Sequence, residues 1–158
     1  MSGVNRRAIV IGWGNRLRRD DALAHFVLAE LGRQLGTHHG VVLMATHQLD
    51  PTMAEAIASH DLVVFVDAAL GSEMDEPVKV EKLAPPASLR APAGTHVLSP
   101  SALLAMAQWL YGREPEAALV TMAGHDFSFG EGLSRPASEA VPIAVEIILR
   151  LLHQSALK

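Results

Sequence analysis

Cysteine is absent from this 158-residue chain. That excludes disulfides, thiolate nucleophiles and cysteine-based zinc sites, and it fits a reducing compartment. A positive charge excess is missing as well. Thirteen Lys and Arg stand against 17 Asp and Glu, and a net charge of −4 argues against a nucleic-acid binder held by phosphate contacts. There is no long apolar run: the most apolar late stretch, residues 141–152, is interrupted by Glu146 and Arg150 and does not read as a membrane span. Near the start, residues 12–15 cut an apolar run far short of a signal-peptide core. The HExxH helix of zincins and the GxSxG elbow of α/β-hydrolases are both lacking, so neither mechanism finds support. Internal repeats, low-complexity tracts and interdomain linkers are likewise missing. The expectation is one soluble, cytoplasmic domain over 1–158, with a hydrophobic content of 49% that suffices for a real core.

What is present is organised around IVIGWGNRLRRDDALAH, residues 9–25. An apolar, partly β-branched run at 8–11 reads as a buried strand. Gly12 and Gly14 then turn the chain, and Asp20 and Asp21 open an amphipathic helix with Leu23, Phe26, Val27, Leu31 and Leu35 on one face. Further strands are predicted at Val41–Thr46, at 62–66 ending on Asp67, at Val78–Leu83 and at 117–122. Val78–Leu83 alternates as an edge strand does. Asp50-Pro51 and Ser99-Pro100 carry the cap-then-proline signal of helix starts. A long polar loop is predicted over 124–136, and a closing helix over 140–153. Alternating strands and helices predict a three-layer α/β/α fold with a mainly parallel five-stranded sheet of order 2-1-3-5-4, the Val78–Leu83 strand antiparallel.

That topology brings the loop after Gly12 and Asp67 to one crevice at the carboxyl edge of the sheet, where open α/β proteins keep their sites. A dinucleotide fingerprint is only partly met there, because Leu17 occupies the third glycine position and Trp13 crowds the turn. Asp20 and Asp21 could cap the helix, but a cap needs only one of them. Asp67 alone reads as a turn cap and His96 alone as a solvated loop histidine. Together, Asp21, Asp67 and His96 make an O,O,N donor set with open positions for a metal.

The runs GWGNRLRRDD, VFVDA at Asp67 and THVLSPSALL at His96, in this order, resemble the maturation endopeptidases of nickel–iron hydrogenases. HQLDP at His47 and GHDFSFGEGLS at His125 look like segments of one branch of that family. The resemblance implies an endopeptidase, of the aspartyl-protease kind, that removes a C-terminal extension from a hydrogenase large-subunit precursor once nickel has been inserted. It implies metal binding by Asp21, Asp67 and His96, with Asp21 and Asp67 as the catalytic pair. Nickel would then be carried by the precursor and held weakly or not at all by the free enzyme, itself expected to be monomeric. Where the family follows the acid pair with Gly-x-Gly, this chain has Ala22, Leu23 and Ala24, which predicts a helix beginning tightly at Asp21 and leaves Asp20 as the alternative ligand. The alternative from a different class is a non-catalytic metal-sensing or binding module on the same fold.

Overall fold

The computed structural model describes residues 6–37, 40–86 and 98–154. Its strands are β1 (Ala8–Trp13), β2 (Val41–Thr46), β3 (Leu62–Leu70), β4 (Val78–Leu83) and β5 (Glu116–Gly124), and its helices are α1 (Leu23–Leu35), α2 (Met53–Ala58), α3 (Pro100–Tyr111) and α4 (Arg135–His153). One sheet runs β2-β1-β3-β5-β4. All its pairings are parallel except β4 on β5. The predicted strand order and the antiparallel edge strand are thus both found.

Adjacent residues of β1 and β3 serve opposite faces, as strand geometry requires. Val10, Val64 and Val66 pack with Leu23, Val27 and Leu31 of α1 and Val145 and Ile148 of α4. Ile9, Ile11, Val63 and Phe65 pack with Ile57 of α2 and Leu103, Leu104 and Ala107 of α3. Burial on both faces explains why these strands read as continuous apolar runs rather than alternations. At Gly12 a Cβ would lie 2.9 Å from the Cβ of Ala24, so the absence of a side chain there lets α1 seat directly on β1. Packing at this density is what makes each added methyl costly.

Several boundaries differ from the sequence expectation, each for a local reason. The helix does not begin at Asp21. One turn of 3-10 helix (Arg19–Ala22) carries both acids, α1 starts at Leu23, and neither carboxylate caps it. Phe26 is 44% exposed, and Leu28 joins Leu23, Ala24, Val27 and Leu31 in the core instead. β3 continues beyond the apolar run to Leu70 because residues 67–70 keep pairing with β5 up to Leu70 opposite Gly124. α4 starts at Arg135, ahead of residue 140. The Ser134 side chain accepts from the Ala137 N–H at 3.4 Å and Pro136 lies in the first turn.

α3 runs against the parallel strands. Just beyond its carboxyl end, Arg113 reaches Asp61 at the start of β3 (3.5 Å). Its amino end, where Ser99 Oγ accepts from the Ala102 N–H at 3.1 Å, therefore points to the carboxyl edge of the sheet. No helix among the described residues is long and apolar enough to cross a membrane.

Candidate functional site

The register of the sheet creates the crevice. β1 pairs with β3 only as far as Gly12 opposite Val66, whereas β3 stays paired with β5 to its end. Asp67 is therefore the first residue of β3 beyond its β1 partner, at the point where the strand order reverses. Alternation puts Asp67 on the face of Phe65, against which the Trp13 ring packs edge-on with 6.2 Å between centroids. Asp67 is half-buried, and its Oδ1 accepts from the Ala68 N–H at 2.8 Å. Burial pushes its carboxyl up to about 7. The Ala68 amide opposes that shift, and the nearby charge of Asp21 adds to it. The two predicted acids thus share one electrostatic neighbourhood.

Asp21 reaches that neighbourhood through a tightly folded loop. Gly14 has φ +151°, and a Cβ on it would lie 1.8 Å from the backbone oxygen of Asp21. The Asn15 N–H donates to Asp21 Oδ2 at 2.7 Å, which fixes the carboxylate. Gly14→Ala should accordingly displace the acid-bearing turn and add about 1–3 kcal/mol of backbone strain before the clash is counted. Urea denaturation measures this. An unchanged midpoint would mean that the Asp21 carbonyl can move aside freely.

Asp20, the neighbour that sequence alone leaves as an alternative, is committed elsewhere. Its side chain is completely buried. Oδ2 accepts from the backbone N–H of His125 (2.7 Å) and Asp126 (2.9 Å) and from Ser134 Oγ (2.6 Å), while Oδ1 accepts from the Ser134 N–H (2.8 Å). Burial pushes this carboxyl up, but the hydrogen bonds from Ser134, His125 and Asp126 together hold it below the usual carboxylate range. The capping role expected for one acid at the helix that follows is not found: Asp20 instead holds Ser134, the residue that caps α4. With its oxygens filled by four donors, Asp20 has little left to offer a metal or an attacking water.

Sequence reasoning missed one participant, His25. Its Nε2 lies 2.8 Å from the Gly14 carbonyl oxygen, and Arg16 Nε donates to its Nδ1 at 3.2 Å. The pairing sets the tautomer: Nε2 carries the proton and Nδ1 accepts. His25 thus braces the loop that holds Asp21. The only sequence signal was its spacing of four residues from Asp21, one helical turn. His96 lies outside the described residues. Among the described residues no group of three or more His, Asp or Glu comes together as a metal set. A separate open groove of about 550 Å³, lined by Arg16, Ala22, His25, Phe26, Ala29, Glu131 and Gly132, runs along the outer side of α1.

No protein-family model matches the chain, and no curated protein matches it either. Solved structures do. The chain is similar to the hydrogenase maturating endopeptidase HybD from E. coli at 21% identity and a TM-score of 0.77, over 95% of this chain and 94% of that one. It is similar to the hydrogenase maturation protease HycI from Thermococcus kodakarensis at 24% identity and a TM-score of 0.68, over 96% of both chains. A hydrogenase 2 maturation peptidase from a Thaumarchaeota archaeon aligns at 20% identity and a TM-score of 0.66, over 94% of this chain and 99% of that one. The likeness spans nearly the whole of each chain and is one of fold.

Proposed function

We propose that this chain, built on the fold of the hydrogenase maturation endopeptidases, is such an enzyme. It removes the C-terminal extension of a nickel–iron hydrogenase large-subunit precursor after nickel insertion. The precursor's nickel is the recognition element, Asp21, Asp67 and His96 are its ligands on this chain, and Asp21 and Asp67 form the catalytic pair. The observation that carries the reading is the half-buried Asp67 carboxyl, raised to about 7 beside Asp21 at the sheet's crevice.

A carboxyl so raised favours its neutral form when nothing positive is near, and a divalent cation reverses that balance. Near neutral pH, nickel must displace a proton from Asp67 in order to bind. The free chain is therefore a poor nickel site and purifies largely metal-free. Nickel already half-ligated by the precursor brings part of its coordination with it, so binding tests whether the metal is present. Once the cation has displaced that proton, the ionised Asp67 carboxylate can take a proton from the attacking water and pass it to the leaving amine.

The test is mass spectrometry of a nickel-loaded precursor with and without this chain. The wild type should release a defined C-terminal peptide and leave nickel-free precursor intact. His96→Ala should stay folded and release nothing. A stable complex without cleavage would point to a binding module instead, and normal processing by His96→Ala would sink nickel recognition through this trio.

A further inference from the structure

The loop carrying Asp21 does not stand alone at the crevice. It is zipped to the segment after β5: the Gly130 N–H donates to the Leu17 carbonyl (2.8 Å), the Arg19 N–H to the Gly130 carbonyl (3.1 Å) and the Asp20 N–H to the Asp126 carbonyl (2.9 Å). Asp20 clamps the base of this ribbon, and Arg19 Nε lies 3.7 Å from Asp126 Oδ2. Each side of the ribbon's tip nevertheless carries an apolar side chain facing water, Leu17 at 47% and Phe129 at 76% exposure. Phe26, 44% exposed, lies in the adjoining groove along α1. A backbone held this firmly keeps the apolar tips from collapsing onto the core.

The charges around the tip also have a direction. Arg16 and Arg18 flank Leu17, and among the described residues neither lies within ion-pair distance of a carboxylate. Arg16 donates to the His25 ring. Exposed apolar anchors flanked by two guanidinium groups that make no ion pair among the described residues, with Glu131 also in the adjoining groove, make a surface suited to an apolar patch bordered by carboxylates. The ribbon is continuous with Asp21, so a protein that presents a metal to Asp21 and Asp67 approaches along it.

We propose that the ribbon tip, with Leu17 and Phe129 as apolar anchors and Arg16 and Arg18 as steering cations, docks the folded body of the hydrogenase precursor on an acid-bordered apolar patch. This rests on the endopeptidase reading and adds where the substrate is gripped. The contacts lie away from the scissile bond, so they contribute ground-state binding and should appear in KM rather than kcat.

The experiment compares wild type, Phe129→Ser and Arg18→Glu with the nickel-loaded precursor, reading kcat, KM and, by calorimetry, Kd. Phe129→Ser should raise KM and Kd about tenfold or more with kcat little changed, as loss of a buried aromatic anchor does. Arg18→Glu should weaken binding most at low salt, with the difference shrinking as salt screens the charge. Wild-type KM and Kd in both variants would overturn the docking site. If wild type binds the precursor without cutting it, the endopeptidase reading fails while the Kd values still judge the docking. If wild type does not bind at all, both fall. Self-association of the wild type that Phe129→Ser abolishes, with processing unaltered, would assign the tip to a second copy of this chain and overturn the proposal.

Discussion

Asp20→Ala is expected to remove about 3–6 kcal/mol of unfolding free energy, a large part of what holds a domain of this size together. The carboxylate is fully buried and accepts four hydrogen bonds, from the amides of His125, Asp126 and Ser134 and from the Ser134 hydroxyl. Truncation strands these donors away from water, at about 1–3 kcal/mol for each one that finds no new partner. Asn does not rescue the site. Both oxygens act as acceptors, so either orientation of the amide points an NH₂ group at a donor. Asp20→Asn should therefore be destabilising too, by about 2–4 kcal/mol.

The pH dependence gives an independent check. The folded carboxyl is held below its ordinary value, so the stability it contributes is present above the unfolded value of about 3.9 and is lost as pH falls through the folded one. Wild type and Asp20→Asn should differ most at neutral pH and converge in acid, as read from urea midpoints across pH 2–8. Equal midpoints at pH 7 would show that the four contacts are not maintained in solution.

Asp67→Asn should act in the opposite direction on stability while abolishing precursor processing. In the folded chain Asp67 keeps its proton up to about pH 7, whereas an unfolded carboxyl releases it near 3.9. Between those values the folded state binds more protons. The contribution of Asp67 to stability therefore falls as pH rises from about 4 to about 7, and it stays low above that. Asparagine keeps the acceptor for the Ala68 N–H and removes the charge that burial penalises. Above pH 7 the variant should be more stable by at most about 4 kcal/mol, less to the extent that water reaches this half-buried group. Below pH 4 the two proteins should unfold alike. Thermal melts at pH 4 and pH 8 decide the matter: a gain of several degrees at pH 8 that vanishes at pH 4 is the expected outcome. A parallel shift at both values would mean that Asp67 titrates as an ordinary surface carboxyl. A buried acid that costs its own fold stability is a common feature of functional sites.

Much of the architecture was legible in the sequence because it rests on local patterns. Four apolar, partly β-branched runs, an alternating Val78–Leu83 and the intervening helical spacings point to the strand order that is found, since crossover handedness leaves few other arrangements. The crevice was legible for the same reason: Asp67 closes an apolar run, and the acid pair follows a glycine turn. Boundaries were less legible where tertiary contacts override propensity. Ala22 and Ala24 favour helix, yet the backbone forms a 3-10 turn at Asp20 and Asp21 because that segment is zipped to 126–130. β3 outlasts its apolar run because β5 continues beside it.

The sequence by itself determined the layers, the strand order and the fact that acids cluster at one edge of the sheet, all consequences of short-range periodicity and chain connectivity. Only the tertiary structure decided which acid does what. Asp20 and Asp21 are adjacent and chemically identical, and no local rule separates them. Folding brings the free amides of His125, Asp126 and Ser134 onto Asp20, which becomes a buried clamp. It leaves Asp21 near enough to Asp67 for its charge to add to the burial that raises the Asp67 carboxyl to about 7. Desolvation and hydrogen bonding depend on atoms far away in sequence, so the division of labour between two neighbouring aspartates is a property of the fold.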